Sequence, residues 1–257
     1  MCDMDNYKSI FEQDGFVLLE NFLTVEESNL LGSFTDTVFN LPDVKGGYMK
    51  YYENGNNSEK ILSRFENFRD LDSNFKTLLD TKLKGCVENL LGKRVNLFKD
   101  KMNWKLPGGG AFKAHQDHMA WSDFPPKYYI TLALFMDSCS TANGCLEMVR
   151  GKHKNGIYDG EHGTIDKKYE DEFNWEAQYA NVRDVVLFDS FVPHRSGKNI
   201  SNGSRRVIYL TFNLADEGDY YESYFVKKRS KFPPDFERNK NTLIDVNSKY
   251  NLANPIV

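Results

Sequence analysis

The sequence lacks the features that mark membrane proteins, secreted proteins and broad nucleic-acid binders. No stretch of its 257 residues approaches the about 18 consecutive apolar residues of a membrane-spanning helix. The formal net charge is only −4 at neutral pH, which argues against general attraction to nucleic acid or to an anionic membrane. The polar, acidic segment 1–6 is unlike a signal or transit peptide. We therefore expect neither nucleic acids nor membranes among the partners.

Cysteine is also scarce. The four cysteines, Cys2, Cys86, Cys139 and Cys145, show no CxxC spacing of a metal or redox site. Scattered cysteines of this kind are typical of reduced thiols, so we expect a cytoplasmic protein. The sequence leaves open whether the protein is a monomer or a homodimer.

Apolar and aromatic residues, by contrast, are plentiful enough for a packed core, with 19 Phe and 14 Tyr. A helical period dominates about residues 1–92. Thr24 and Glu27 have the spacing of a capping box at the start of one helix, and a second helix is expected over about Asn74–Leu91. The tyrosine-rich segment 46–58 between them is expected to be a loop.

From Val95 onward the sequence changes to short strands separated by turns. Strands are expected over Val95–Leu106, Phe112–Asp117, Tyr128–Met136, Val185–Phe188 and Arg205–Asn213. Helices first and strands afterwards favour a mainly β fold with flanking helices. We predict a single domain over residues 1–257, with a double-stranded β-helix (jelly-roll, cupin-like) core at about 93–215 and a C-terminal extension at about 216–257.

The most informative motif is His115-Gln116-Asp117, which is followed by a second histidine, His194, at the end of a later strand. Residues i and i+2 of a strand point to the same face, so His115 and Asp117 would bind one ion while Gln116 points away. Two imidazoles and one carboxylate form the facial triad of non-haem iron oxygenases, which leaves positions open for a cosubstrate and O2. We therefore predict that His115, Asp117 and His194 bind a metal ion at a catalytic centre.

Four segments together resemble the phytanoyl-CoA dioxygenase family of Fe(II)- and 2-oxoglutarate-dependent oxygenases. They are FEQDGFVLLENFLTVEESNLL, FKDKMNWKLPGGGAFKAHQD, ANGCLEMVRGKHK and DVVLFDSFVPHRSGKN. Within the family, KYYE, SRFENF, KFPPDFER and YNLANPI are most similar to the branch that hydroxylates aminoalkylphosphonates. The resemblance implies Fe(II), 2-oxoglutarate and O2 as cofactor and cosubstrates. It also implies hydroxylation of a small, zwitterionic substrate similar to 2-aminoethylphosphonate, with release of succinate and CO2.

The resemblance further implies a site for the far carboxylate of 2-oxoglutarate. Arg205 stands at the family's eleven-residue offset from His194, and its planar fork suits a carboxylate. Arg206 is the alternative, because adjacent residues of a strand point in opposite directions and only one can serve. Further candidates for binding 2-oxoglutarate are Ser196, Asn103, Thr131 and Lys101. The alternative for Lys101 is a solvent-facing lysine on an amphipathic strand.

Aromatic and charged residues are the candidates for the substrate pocket: Tyr48, Tyr51, Arg64, Glu66, His118 and Trp121. An arginine would bind a phosphonate or carboxylate group, while Glu66 or an aromatic face would bind an ammonium group. The alternative is that Arg64 and Glu66 form a surface salt bridge and that the tyrosines pack a lid.

Other functions stay open at this point. They are hydroxylation of a free amino acid or an ectoine-like osmolyte, a non-catalytic jelly-roll protein, and a zinc-binding hydrolase.

Overall fold

Two antiparallel sheets form the centre of the molecule. The computed structural model describes residues 4–55, 59–239, 245 and 248–256. The strands are β1 (Phe16–Leu19), β2 (Met49–Asn54), β3 (Lys60–Glu66), β4 (Val95–Lys105), β5 (Phe112–His115), β6 (Tyr129–Phe135), β7 (Leu146–Met148), β8 (Glu176–Gln178), β9 (Val185–Asp189), β10 (His194–Ser196) and β11 (Arg205–Leu214). The α-helices are α1 (Met4–Asp14), α2 (Val25–Asn40), α3 (Ser73–Leu78), α4 (Lys84–Leu91), α5 (His118–Trp121), α6 (Lys167–Glu172) and α7 (Tyr221–Lys231).

The larger sheet has seven strands in the order β1-β9-β6-β11-β4-β3-β2, and the smaller has four in the order β5-β10-β7-β8. Every strand pair is antiparallel. Apolar side chains of the two sheets pack against each other, for example Phe188 and Val207 of the large sheet with Leu146 and Met148 of the small one. Two facing sheets with helices outside them are the jelly roll that the sequence predicts.

The outer face of the large sheet is apolar and is covered by helices. Met102, Trp104 and Ile208 of this face share one core with Leu31 of α2 and Val87 of α4. The inner face is different, because it carries charged residues in its central strands. The pleat of β4 separates the two faces, since alternate residues point to opposite sides.

The predicted loop over residues 46–58 is wrong for Met49–Asn54, which form β2, while residues 56–58 lie outside the described residues. β2 and β3 pair antiparallel and extend the large sheet, with Tyr51 opposite Arg64. Residues 1–92 therefore contribute strands as well as helices. The physical reason for the error is that β2 buries Lys50 and Glu53 inside the molecule, although charged residues of this kind are typical of a loop.

The two predicted helices are present. Thr24 caps α2, and its hydroxyl accepts from the Glu27 N–H at 3.2 Å while the Glu27 carboxylate accepts from the Thr24 N–H at 2.8 Å. The second helix is interrupted: a π-helical segment, Leu79–Leu83, separates α3 from α4. Gly92 ends α4 in the left-handed conformation, at φ 63°, which glycine adopts without strain.

The C-terminal extension contains a helix, α7, that the sequence analysis did not predict. Tyr221, Tyr224, Phe225 and Lys228 form its buried face, at the spacing of a helical stripe. The segment that follows also contributes to the core, since Phe232 is buried against the ring of Tyr51. Within the described ranges, no helix is both long and apolar enough to cross a membrane.

Replacing Thr24 with alanine should lower the free energy of unfolding by about 1 kcal/mol, because the first turn of α2 loses its capping hydroxyl. Urea denaturation followed by circular dichroism measures this change. Thr37→Ala is the control, because the exposed Thr37 hydroxyl only bonds back to the Ser33 carbonyl within the same helix. Equal losses of stability in the two variants would contradict the capping role.

Candidate active site

The small sheet brings the two histidines of the predicted triad together. β5 and β10 are neighbours, and their register places His194 opposite His115, with 4.1 Å between ring centroids. Oδ1 of Asp117 lies 3.7 Å from Nε2 of His115 and 3.9 Å from Nε2 of His194. These separations exceed hydrogen-bond distances and leave room for an ion that contacts all three atoms. The three residues therefore fit a metal site of the facial-triad type.

Backbone carbonyls fix both imidazoles. Nδ1 of His115 lies 2.7 Å from the Lys113 carbonyl, and Nδ1 of His194 lies 3.0 Å from that of Val192. A carbonyl can only accept, so each Nδ1–H donates and each Nε2 keeps a lone pair for the metal. Burial, and then the neighbouring His115, lowers the pKa of His194 to about 4. The ring of His194 is therefore neutral at neutral pH, which is the form that binds metals.

Asp117 reaches the site by a different route from the one predicted. β5 ends at His115, and Asp117 already has helical backbone angles (φ −57°, ψ −31°) just before α5. The alternation of a strand therefore does not bring the pair together; a strand-to-helix turn does. The amide of the buried Gln116 anchors this turn by donating to the carbonyls of Gly156 and Phe191.

A cavity lies between the sheets at the triad. The large sheet contributes Lys101, Asn103 and Arg205 to its lining, and the small sheet contributes Phe112 and Ser196. The cavity is narrow, with a free volume of about 20 Å³. A small cosubstrate and a small substrate suit it better than a long acyl chain.

Arg205 and Arg206 leave β11 on opposite faces. Arg205 is buried on the inner face, where its Nη1 contacts the Tyr209 hydroxyl at 3.4 Å. Its buried Nε has no hydrogen-bond partner within the described residues. Arg206 instead forms ion pairs with Asp36 and Asp137 on the outer side. A buried guanidinium with an unbonded donor is stabilised by a bound anion. Arg205, and not Arg206, is therefore the candidate for binding the far carboxylate of 2-oxoglutarate.

The sequence matches the model of one protein family over most of its length. The model described as phytanoyl-CoA dioxygenase (PhyH) matches residues 11–207. The chain belongs to the phytanoyl-CoA dioxygenase family. It is therefore an Fe(II)- and 2-oxoglutarate-dependent dioxygenase, and the alternatives of a zinc hydrolase and a non-catalytic jelly roll are set aside.

Individual relatives agree with this assignment. A 2-aminoethylphosphonate dioxygenase from the uncultured bacterium HF130_AEPn_1 is 37% identical over 97% of this chain and 97% of that protein. A methylphosphonate hydroxylase from Gimesia maris is 31% identical over 89% of this chain and 87% of that protein.

Solved structures confirm the jelly-roll fold. EctD from S. alaskensis with 2-oxoglutarate and 5-hydroxyectoine matches with a TM-score of 0.70, over 82% of this chain and 76% of that chain, at 18% identity. EvdMO1 matches with a TM-score of 0.68, over 82% of this chain and 50% of that chain, at 23% identity.

The other residues predicted to bind 2-oxoglutarate differ in whether they line the cavity of this oxygenase. Ser196 lies in the cavity lining, where its hydroxyl accepts from Nζ of Lys105 at 2.8 Å. Asn103 also lines the cavity, and its buried Oδ1 has no partner within the described residues. Thr131 lies outside the cavity lining, where its hydroxyl bonds that of Thr211 at 3.0 Å. Ser196 and Asn103 are thus better placed than Thr131 to contact a ligand.

Lys101 does not belong to a solvent-facing strand. Its Nζ lies 4.8 Å from the ring centroid of Tyr209, within the cavity. Burial, and then the charge of Lys99, lowers the pKa of Lys101 to about 7. Lys99 is also buried, with its Nζ 5.4 Å from the ring centroid of Trp121. The lysine face of β4 thus points into the molecule, toward the cavity.

The pair Arg64–Glu66 is buried, so the alternative of a surface salt bridge is wrong. The two side chains are 2% and 0% exposed, with Nε of Arg64 3.4 Å from Oε1 of Glu66. Glu66 also forms an ion pair with Lys228 of α7. The register of β3 and β4 places Arg64 opposite Asn103 and Glu66 opposite Lys101, so this cluster adjoins the cavity.

The structure does not bring Tyr48 to the cavity. Its hydroxyl donates to the Pro42 carbonyl, and its ring stacks on Phe65 on the outer face of the large sheet. Tyr51 does point inward, where it contacts Arg64 at 4.5 Å from the ring centroid to Cζ. Its hydroxyl donates to the Phe232 carbonyl, so it supports the cluster from behind.

His118 and Trp121 follow the triad on α5. The ring of His118 stacks on Phe191 at 4.1 Å, and burial lowers its pKa, so it is neutral at neutral pH. Trp121 is buried among aromatic residues such as Phe98, and its indole N–H has no partner within the described part of the chain. Trp121 contacts Lys99 and His118 packs on Phe191, and neither residue belongs to the lining of the cavity.

From the lysine row of β4, only Lys101 was predicted as a site residue and not Lys99 or Lys105, and Lys228 was not predicted at all. The signal for Lys99 and Lys105 was present, since both share the face of Lys101 on β4. The signal for Lys228 was its place in the apolar stripe of α7, seven residues after Tyr221.

His115→Ala and Asp117→Ala should each abolish 2-oxoglutarate-dependent succinate formation, because either change removes one of the three metal ligands. Asp123→Ala is the control, because this carboxylate pairs with Lys249 away from the triad. Succinate formation at the wild-type rate in either triad variant would contradict the metal site.

Arg205→Ala should raise the 2-oxoglutarate concentration for half-maximal activity at least about tenfold, because a charged hydrogen bond of about 1.5–3 kcal/mol is lost. Titration of the weak visible charge-transfer band of the anaerobic Fe(II)–2-oxoglutarate enzyme measures the same affinity. Arg206→Ala is the matched control and should leave this requirement unchanged. An effect confined to the Arg206 variant would move the role to that residue.

Proposed function

We propose that this oxygenase hydroxylates a carbon atom of a small organophosphonate, with 2-aminoethylphosphonate and methylphosphonate as the first candidates. Two relatives named for these compounds support the proposal. His115, Asp117 and His194 would hold Fe(II), which together with 2-oxoglutarate and O2 supplies the oxidising power for C–H hydroxylation, with release of succinate and CO2.

The protein's own part in this reaction is to bind and orient two anions. Arg205 offers its free Nε to the far carboxylate of 2-oxoglutarate, and Ser196 and Asn103 offer polar groups in the same cavity. Lys105 holds the Ser196 hydroxyl and adds positive charge behind it. The neutral His194 and the ionised Asp117 need no proton change before they bind the metal. Burial alone would raise the pKa of Asp117, but His115, His194 and Lys101 hold it below its usual value.

The observation that carries the substrate class is a buried group of cations beside the triad. Nε and Nη2 of Arg64 are buried and have no hydrogen-bond partner within the described residues. In the same part of the chain, Lys99 and Lys101 have no ion pair and contact aromatic rings instead. Burial lowers the pKa of Lys99 and Lys101, and a bound anion would stabilise the charged form of both lysines. A phosphonate, with three oxygens and up to two negative charges, suits three adjacent cations better than a carboxylate does.

The amino end of a zwitterionic substrate has less support. Glu66, the carboxylate that would bind an ammonium group, already pairs with Lys228. The phosphonate end therefore defines the proposed substrate class, and the substituent on carbon is for experiment to determine.

Matched substrate pairs test this proposal in an assay that measures both succinate and hydroxylated product. 2-Aminoethylphosphonate and 3-aminopropanoate differ in the acid group, as do methylphosphonate and acetate. We expect coupled product formation with a phosphonate and none with its carboxylate partner. Ectoine and free amino acids complete the panel. Coupled turnover of one of these, with no response to either phosphonate, would overturn the proposal in favour of that substrate.

Arg64→Met should raise the KM for the phosphonate at least about tenfold while the requirement for 2-oxoglutarate stays constant, because the variant removes charged donors on the substrate side. Arg150→Met is the control, because Arg150 pairs with Asp14 and Glu176 at the surface. An unchanged KM in a folded Arg64 variant would remove Arg64 from the binding site.

A further inference from the structure

Lys228 is an unusual residue for the buried face of a helix. It occupies the stripe of α7 that otherwise consists of Tyr221, Tyr224 and Phe225, and its side chain is 1% exposed. Its ammonium group contacts Oε2 of Glu66 and lies 5.1 Å from the ring centroid of Tyr51. Burying a lysine costs free energy unless it is paired, so the pair with Glu66 is what makes this position tolerable.

The two oxygens of Glu66 have different surroundings. Oε2 accepts a hydrogen bond from Lys228, whereas Oε1 has none and faces Nε of Arg64 at 3.4 Å. The carboxylate thus lies between two cations but is hydrogen-bonded to one of them. These neighbours outweigh burial and lower the pKa of Glu66 to about 2, so it stays ionised.

This geometry leaves Arg64 with free donors. An arginine beside a buried carboxylate ordinarily forms a bidentate pair, in which two parallel N–H groups point to the two oxygens. Here Lys228 already binds one of the oxygens, and Arg64 keeps both Nε and Nη2 unbonded. Without the ammonium group, Glu66 would be an uncompensated buried carboxylate with Arg64 as the cation within reach.

We propose that Lys228 is a positioning residue that holds Glu66, so that Arg64 keeps its guanidinium free for the phosphonate of the substrate. The inference rests on the proposed function, in which Arg64 binds this phosphonate. It assigns a role in substrate binding to the C-terminal helix, which lies outside the segment 11–207 that matches the family model. A purely structural role, in which Lys228 merely fills the space beneath α7, is the competing explanation.

Charge balance separates the two explanations. Lys228→Met keeps the length of the side chain and removes the charge, so Glu66 should capture Arg64. The KM for the phosphonate should rise about tenfold, because charged donors are lost to the substrate. The requirement for 2-oxoglutarate should not change, since Arg205 is untouched. Succinate formation without hydroxylated product should increase, because the substrate is held less well.

The double variant Glu66→Gln/Lys228→Met is the decisive one. It removes both charges of the pair, so Arg64 has no carboxylate to bind, and the KM should return to within about threefold of the wild type as a coupled pair predicts. If Lys228 only fills space, Lys228→Met causes no defect or one that comes from altered packing, and the second substitution does not correct it. Lys228→Arg retains a cation and should keep a KM close to that of the wild type.

Thermal unfolding of each variant shows whether it is folded. If Lys228→Met does not fold, Lys228→Gln replaces it, because the amide is polar but uncharged, and the same rise in KM is expected. An unchanged KM in a folded single variant, or a double variant that keeps the defect, would overturn the inference. A wild-type enzyme that hydroxylates no phosphonate would instead overturn the proposed function, so the two failures are distinguishable.

Discussion

The arrangement of the site depends on the free-energy cost of burying positively charged groups. Basic side chains outnumber carboxylates among the described residues on the inner side of the large sheet; the basic residues are Arg64, Lys99, Lys101, Lys105, Arg205 and Lys228, and the acidic ones are Glu53, Glu66 and Asp117. A buried ion costs several kcal/mol unless a partner compensates it. The excess is tolerable because the ligands of the site are themselves anions, and a ligand that binds the folded state stabilises it. Bound 2-oxoglutarate would therefore stabilise the folded protein.

The same excess explains where the sequence misleads. Alternation along β4 correctly separates Lys99, Lys101 and Lys105 from Met102 and Trp104. The pattern cannot tell which side faces solvent, because polar residues usually do, and here both sides are buried. β2 was predicted as part of a loop for the same reason, because its charged residues Lys50 and Glu53 are buried. The jelly roll, the capped helix α2 and the central strands were predictable, since they follow ordinary periodicity and capping rules.

Some features of the candidate site could likewise be predicted from the sequence, and others could not. The spacing of His115, Asp117, His194 and Arg205 could be read from the sequence, because these residues are close to family motifs. The strand-to-helix turn that places Asp117 could not be predicted from the sequence. A continuous strand would bring the same two residues to one ion, so the motif does not distinguish the two conformations. The inward orientation of Arg205 could be predicted from alternation within its own strand, β11. The pairing of Glu66 with Lys228 could not, because it joins residues 162 positions apart. No local pattern specifies a contact at that separation.

The position of α7 has a consequence for the order in which the site is completed during synthesis. A chain that has emerged as far as β11 already contains the triad, Arg205 and every strand of both sheets. It lacks Lys228, so Glu66 has Arg64 as its nearest cationic partner at that stage. On the proposed role of Lys228, the residues for the metal and the cosubstrate would therefore be complete before Glu66 is held away from Arg64. Competence for the substrate would then be the last property that the growing chain acquires.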